Sequence, residues 1–153
     1  MPSQQKPRSV IVIPFYNHSA SLLDVVSGAL EVNDSVMVVD DGSTDKGTDT
    51  LAELSVHFIH HEKNLGKGAA IKTAAKEAQE LGMTHMVTID ANGRYDPADF
   101  HLFSKALENK PDSIIIGRRN FPKSAVPALS RFNRGLANFW FRIQTGRSLS
   151  DIR

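Results

Sequence analysis

The chain has 153 residues, of which 41% are hydrophobic and 23% are charged, and this composition is typical of one globular domain. It contains no cysteine, which excludes thiol nucleophiles, thiolate zinc sites and disulfide frameworks. The formal net charge of +1 hides two opposite parts, because residues 1–113 carry ten Lys/Arg against sixteen Asp/Glu whereas residues 114–153 carry eight against one. No apolar run is long enough for a membrane span, so the chain is expected to be soluble.

Predicted strands and helices alternate along the chain after a flexible tail over residues 1–8. Val10–Ile13 is a β-branched run without polar alternation, which is typical of a strand buried on both faces, and Pro14 ends it. Ser19 and Ser21 are predicted to cap the helix that follows. The later elements are a strand over 36–39, a short helix through Leu51 and Leu54, a weak strand over 57–60, a helix over 69–81 with Gly82 as its C-terminal cap, a strand over 85–89, a helix opened by Asp96 and Pro97, and a fifth strand over 113–116.

This alternation predicts an α/β fold with a mostly parallel sheet and flanking helices, formed by residues 9–153 as one domain. Ligands of such sheets bind beyond the carboxyl ends of the strands. The predicted ends carry Pro14–Asn17, Asp40 and Asp41, Asp90–Asn92, and Gly117–Arg119. We therefore expect the functional site among these segments.

Two of the loops have both a structural and a functional interpretation. Asp40 and Asp41 could simply end a strand in a turn, or they could accept hydrogen bonds from a nucleoside. Asn64–Gly68 could be a plain turn or a loop that presents backbone N–H groups and Lys67 to an anion. An NTPase phosphate loop is excluded, because His61 stands where that motif needs glycine and Gly68 where it needs Ser or Thr.

Asp90 follows a buried strand, where a carboxylate is well placed to meet a divalent cation and a diphosphate. His57, His60 and His61 are interpreted as structural or solvated rather than metal-binding. They lie on one strand, point to both of its faces and have no carboxylate neighbours in the predicted sheet.

The basic end of the chain contains a predicted amphipathic helix from Pro127 onward. Arg131 and Arg134 lie on its polar face, opposite Phe132 and Trp140. The helix either packs on the sheet or lies on an anionic membrane surface, and the concentration of aromatic residues in the last 40 positions favours the membrane. Nucleic acid is not an expected partner, because the basic segment is short and the rest of the chain is acidic.

Taken in order, these segments resemble the family-2 glycosyltransferases. The closest resemblance is to the branch that transfers a sugar from a nucleoside diphosphate to a polyprenyl phosphate, as dolichol-phosphate mannosyltransferases do. The motifs that carry it are Val12–Asn17, Val38–Asp45, Asn64–Ala70, Asp90–Gly93 with Asp96-Pro97, and Gly117–Arg119. The resemblance implies the glycosyltransferase A-type fold and a cytoplasmic enzyme, peripheral to the cytoplasmic membrane, with a role in the cell envelope.

The resemblance also implies roles for individual residues. Residues 9–113 would form the nucleotide-sugar-binding part, with contacts from Pro14, Tyr16, Asn17, Asp40, Asp41, Gly66, Lys67, Asp90 and Ala91. Residues 114–153 would begin the acceptor part, with Arg118, Arg119 and Arg131 at the acceptor phosphate. Asp90 and Asn92 would be catalytic and hold Mg²⁺ or Mn²⁺, with Arg94 as a third catalytic residue beside them.

The sequence departs from the family pattern at several positions. His18 replaces a usual Glu, Asn92 replaces the second Asp of the metal motif, and Arg94 replaces a frequent Gln. We therefore expect weak metal binding, partly replaced by Arg94, and a catalytically impaired nucleotide-binding module is the alternative function. A nucleotidyltransferase is less favoured, because no Gly-rich basic loop follows the first strand. The chain stops at Asp151–Arg153, where this branch usually continues, so we expect a C-terminally truncated acceptor part.

Overall fold

A computed structural model describes residues 7–117 of the chain, and these alternate between strands and helices. The strands are β1 (Ser9–Phe15), β2 (Val36–Asp40), β3 (His57–His60) and β4 (His85–Thr88). The α-helices are α1 (Ser19–Val32), α2 (Lys67–Glu80) and α3 (Phe100–Asn109), and short 3₁₀ helices span Gly47–Leu51 and Pro97–Asp99. The first four predicted strands are confirmed.

The strands form one parallel sheet in the order β3-β2-β1-β4, which confirms the predicted α/β fold. β1 and β2 lie in the centre and are almost wholly buried, which explains their unbroken apolar runs. The chain builds outward from β1 through β2 to β3 and then returns to the other side of β1 as β4. Ligands of open parallel sheets bind beyond the carboxyl ends of the strands at such a reversal.

Helices cover both faces of the sheet, and alternate residues of the central strands point to opposite faces. Ile11, Ile13 and Val38 belong to a core with α1 and α3. The opposite core joins the other residues of β1 and β2 to the small side chains of α2, which are Ala70, Ala74 and Ala78. The packing of α2 against β1 and β2 brings its first residue, Lys67, to the cavity at the carboxyl ends of the strands.

The predicted fifth strand over 113–116 is wrong. Residues 111–113 form a turn, in which the Ser113 N–H donates to the Lys110 carbonyl over 3.2 Å, and residues 114–117 are irregular. Ile114 is 93% exposed and Ile116 is 63% exposed, whereas Ile115 packs against the core. A short apolar run predicts a strand only where a neighbouring strand pairs with it, and no described strand does so here.

The predicted side-chain cap of α1 is wrong, whereas the predicted cap of α2 is confirmed. Neither Ser19 nor Ser21 caps α1 with its side chain. Instead, the Ser19 N–H donates to Asp45 Oδ2 over 2.9 Å, and this hydrogen bond lowers the pKa of the Asp45 carboxyl. Gly82 follows α2 with a φ of 71° and donates its N–H to the Gln79 carbonyl, so its predicted role at the helix end is confirmed.

The chain divides into two units, Met1–Ile115 and Ile116–Arg153. The predicted helix from Pro127 and the first six residues of the predicted tail lie outside the described residues. Arg8, the last residue of that tail, is bonded to the start of β4, since its N–H donates to Thr84 Oγ1 over 2.9 Å. Between residues 7 and 117, no helix has both the length and the apolar character needed to cross a bilayer.

Candidate functional site

A cavity of about 320 Å³ lies where β1, β2 and β4 end, at the reversal of the strand order. This volume is within the range of small-molecule sites. It brings together most of the predicted nucleotide-sugar residues, whereas Asn17 and Asp40 do not line it. The lining residues are Pro14, Phe15, Tyr16, His18, Asp41, Asn64, Gly66, Lys67, Ala70, Asp90, Ala91 and Asn92.

Asp40 is a buried support beneath the cavity, with 1% of its surface exposed. Its Oδ1 accepts a hydrogen bond from the Ser43 N–H over 2.8 Å, which closes the turn after β2. Its Oδ2 lies 2.9 Å from His60 Nδ1 on the neighbouring strand. Both oxygens therefore have partners within the protein.

Asp41 organises the loop that precedes α2. Its Oδ1 lies 2.7 Å from His61 Nδ1 and accepts from the Leu65 N–H over 3.0 Å, while its Oδ2 accepts from the Gly66 N–H over 2.7 Å. Burial opposes ionisation of this carboxyl, but the three hydrogen bonds outweigh it and hold the pKa of Asp41 below its ordinary value. Three bonds leave a carboxylate one of its roughly four acceptor positions for a ligand.

Asn17 joins the loop after β1 to the loop after β2. Its Oδ1 accepts from the Thr44 N–H over 2.8 Å, and its own N–H donates to Ser43 Oγ over 3.0 Å. Its φ of 53° lies in the left-handed region, which asparagine tolerates better than most residues. The structure therefore places Asn17 as a clamp that holds the rim of the cavity.

Two substitutions of Asn17 should separate the side-chain clamp from the backbone conformation. Asn17→Gly keeps the left-handed backbone and the N–H bond to Ser43 Oγ but removes the bonds that Asn17 Oδ1 accepts, so we expect a loss of about 1–2 kcal/mol in the free energy of unfolding. Asn17→Ala removes the same bonds and adds left-handed strain, so we expect about 1 kcal/mol more. Urea denaturation of both variants measures the difference, and equal losses would contradict the backbone argument.

Lys67 and Asp90 form the charged pair of the cavity. Lys67 Nζ contacts Asp90 Oδ1, and the two side chains are 58% and 31% exposed. Among the described residues that line the cavity, Lys67 is the only lysine or arginine. Arg94, which was expected beside the metal ligands, is exposed and is not among those lining residues.

The described residues do not fit a resident divalent cation at Asp90 and Asn92. One Asp90 oxygen is paired with Lys67, and Asn92 Oδ1 accepts a hydrogen bond from the Arg94 N–H over 3.0 Å. Between residues 7 and 117, no three His, Asp or Glu side chains are grouped so that they could hold a metal. Mg²⁺ and Ca²⁺ sites are built from carboxylate and carbonyl oxygens. Here the charge of the Asp90 carboxylate is neutralised by the Lys67 ammonium group.

The prediction that His57, His60 and His61 lack carboxylate neighbours is wrong. His60 and His61 are bonded to Asp40 and Asp41, and His57 Nε2 lies 3.0 Å from Glu77 of α2. His61 also places its Nε2 3.0 Å from Thr73 Oγ1, so it connects Asp41, in the loop after β2, to α2. The interpretation of these histidines as structural is confirmed. The acidic partners of His60 and His61 were missed because the parallel pairing of β2 with β3 brings them together.

Ser21 is a site residue that the sequence did not identify. Its Oγ donates to the Ala91 carbonyl oxygen over 2.5 Å, which ties the first turn of α1 to the segment after β4. That segment carries Asp90 and Asn92. A serine in a first helical turn is usually interpreted as a cap, so only the fold identifies this contact.

The predicted acceptor residues Arg118, Arg119 and Arg131 lie outside the described residues. The structure therefore provides no geometry for the acceptor side, and these assignments stay predictions.

Comparison with known proteins identifies the family. Residues 10–148 match the family model described as glycosyl transferase family 2. The chain is 32% identical over 127 residues to the UDP-N-acetylglucosamine–dolichyl-phosphate N-acetylglucosaminyltransferase of Methanococcus voltae, covering 71% of this chain and 51% of that protein. It is 31% identical over 157 aligned positions to the polyprenol monophosphomannose synthase of Mycolicibacterium smegmatis, covering 95% of this chain and 58% of that protein.

The chain thus spans about half the length of these curated relatives. The crystal structure of S. aureus TarS 1-349 superposes with a TM-score of 0.54 at 19% identity, covering 76% of this chain and 39% of that one, and supports the fold alone. The cavity at the strand ends, the parallel sheet and the match over residues 10–148 lead to one conclusion: the chain belongs to glycosyl transferase family 2.

Proposed function

We propose that the chain forms the nucleotide-sugar-binding part of a glycosyltransferase that transfers a sugar from a nucleoside diphosphate to a polyprenyl phosphate. The observation that carries the proposal is the cavity at the reversal of the strand order, which is lined by an aromatic ring, two carboxylates and an ammonium group. The names of the two relatives, a dolichyl-phosphate N-acetylglucosaminyltransferase and a polyprenol monophosphomannose synthase, support a lipid phosphate as the acceptor.

The nucleoside is assigned to the part of the cavity between Tyr16 and Asp41. Tyr16 lines the cavity and is 42% exposed, so its ring is accessible for stacking with a base. Asp41 keeps one acceptor position for a base N–H or a ribose hydroxyl. Asp40 acts indirectly in this proposal, because it is buried and holds the turn that carries Asp41.

The diphosphate is assigned to the other part of the cavity, near Lys67 and Asp90. During transfer, the bond between the anomeric carbon and the β-phosphate oxygen breaks, and a bond forms between that carbon and an oxygen of the acceptor phosphate. Negative charge builds on the departing diphosphate, and a fixed cation nearby stabilises it. The acceptor is already a nucleophile at neutral pH, since the second pKa of a phosphate monoester is about 6.

The acceptor side of the proposal depends on residues 114–153. This segment carries eight Lys/Arg and one acidic residue, so it can attract an anionic lipid surface. Arg118, Arg119 and Arg131 are proposed to hold the lipid phosphate, and the helix from Pro127 is proposed to lie on the cytoplasmic membrane. The protein would then be peripheral to that membrane and contribute to the cell envelope.

One observation favours the alternative, a module that binds a nucleotide without transferring sugar. The second acidic position of the metal motif is Asn92, a neutral amide whose oxygen already accepts a hydrogen bond from the Arg94 N–H. Such a module would bind the nucleotide and give no product.

A transfer assay with labelled UDP- and GDP-sugars, on vesicles with and without polyprenyl phosphate, tests the proposal. We expect labelled lipid only with polyprenyl phosphate, and a loss of about a hundredfold or more in Asp90→Asn. Asp34→Asn is the control, because Asp34 is exposed before the amino end of β2, at the opposite end of the sheet. Nucleotide binding without product would support the module, and absence of both would contradict a nucleotide site.

A further inference from the structure

We infer that the Lys67 ammonium group takes the place of a divalent cation at the diphosphate, so that the chain binds a nucleoside diphosphate without metal. This inference rests on the proposed function and concerns the same cavity. The positive charge that offsets the diphosphate is here assigned to Lys67, whereas the sequence suggested a metal or Arg94 for this role.

The first argument is the occupation of Asp90. A divalent cation bound by this carboxylate would lie within a few ångströms of Nζ, because Lys67 already contacts Asp90 Oδ1. Two cations at this separation repel each other, and the repulsion is strong away from bulk water. Metal binding would therefore require Lys67 to leave its partner.

The second argument is the lack of further oxygen ligands. Asn92 Oδ1 accepts from the Arg94 N–H, and the Asp41 oxygens accept from the backbone of Leu65 and Gly66. Mg²⁺ requires near-octahedral coordination by oxygen atoms. Few side-chain oxygens of the described cavity residues are free to provide it. An ammonium group requires no such coordination.

The third argument is the position and capacity of Lys67. An ammonium group has three N–H donors, so one bond to Asp90 leaves two for phosphate oxygens. The side chain is 58% exposed and lines the cavity, so it can reach a ligand without unfolding of its surroundings. Asp90 is then a positioning residue, which directs Nζ toward the cavity.

Titration of the whole 153-residue chain with UDP and with GDP tests the inference, once in EDTA and once in Mn²⁺. We expect at least one nucleotide to bind with the same affinity, within about twofold, in both solutions. In Lys67→Met the affinity should fall by about tenfold or more in both, since a charge-assisted hydrogen bond to phosphate is lost. Lys67→Arg should restore part of it, because it returns the charge with a different shape.

Lys72→Met is the matched control, because Lys72 is an exposed lysine of the same helix that does not line the cavity. It should bind as the unaltered chain does, and thermal unfolding of every variant checks that the fold is kept. Binding that requires Mn²⁺ and persists in Lys67→Met would overturn the inference and leave the proposed function intact. Absence of binding to both nucleotides in both solutions would overturn the proposed function and this inference together.

Discussion

Gly42→Ala is expected to lower the free energy of unfolding by about 2–4 kcal/mol, one of the two largest effects that the structure predicts. A Cβ at this position would lie 2.6 Å from the Asn64 nitrogen and 2.7 Å from the Lys63 Cα, both of which are backbone atoms. The φ of 76° adds a cost, because side-chain-bearing residues rarely adopt it. The loop after β3 would have to move away from the loop after β2.

This movement should also weaken nucleotide binding. The displaced segment leads directly into Leu65 and Gly66, whose N–H groups bond to Asp41. We therefore expect Gly42→Ala to reduce the affinity for the better-bound nucleoside diphosphate as well as the stability, measured by titration and by urea denaturation.

Gly68→Ala is the matched control for Gly42→Ala. Gly68 lies in α2, and an added Cβ would meet no atom within 4 Å. Because alanine favours helix over glycine, we expect this variant to be unchanged or more stable by up to about 1 kcal/mol. Similar destabilisation of both variants would contradict the argument from backbone contact.

Asp41→Asn is expected to cost about 2–4 kcal/mol of stability at neutral pH. An amide keeps one oxygen but brings an NH₂ group toward N–H donors from His61, Leu65 or Gly66, and it loses the charge that strengthens these bonds. Asp49→Asn is a suitable control, because Asp49 is exposed in the 3₁₀ helix Gly47–Leu51. We expect the control to change stability by less than about 0.5 kcal/mol.

The pH dependence of stability gives a second measure of the same carboxylate. The pKa of Asp41 is lowered in the folded chain from 3.8, so its contribution is complete above that value and is lost as the pH falls through the folded pKa. Urea denaturation at pH 6 and at pH 3 should show a smaller acid loss in Asp41→Asn than in the unaltered chain. Equal losses in both would show that other groups cause the acid sensitivity.

The central part of the fold could be predicted from the sequence because β1 and β2 are continuous apolar runs, which few structures other than a buried strand accommodate. The run over 113–116 has the same composition, yet it forms no strand, because strand formation needs a neighbour that local sequence does not reveal. Local pattern thus predicted β1–β4, each of which pairs with a described neighbour, and failed at 113–116, where no described strand pairs.

Within the candidate site, the sequence predicted which segments meet at the cavity but not which side chains bond to one another. The residues that end β1, β2 and β4 lie at one cavity because parallel strands end at the same edge. The bonds of Asp41 with His61, and of Lys67 with Asp90, join residues 20 and 23 positions apart. Such contacts depend on strand register and helix placement, so the sequence suggested metal chemistry where the structure places an ion pair.

The two acid–histidine contacts at the end of β2 have a consequence for how β3 finds its place in the sheet. β3 is mostly exposed, so its apolar pattern specifies its alignment weakly, and a slip of one residue would turn every side chain to the opposite face. Asp40 pairs with His60 in the parallel register, and Asp41 bonds to His61 at the next position. These two successive pairs fix the register of β3 at the edge of the described sheet. A substitution of Asp40 or Asp41 should therefore be tolerated best when its histidine partner is substituted as well.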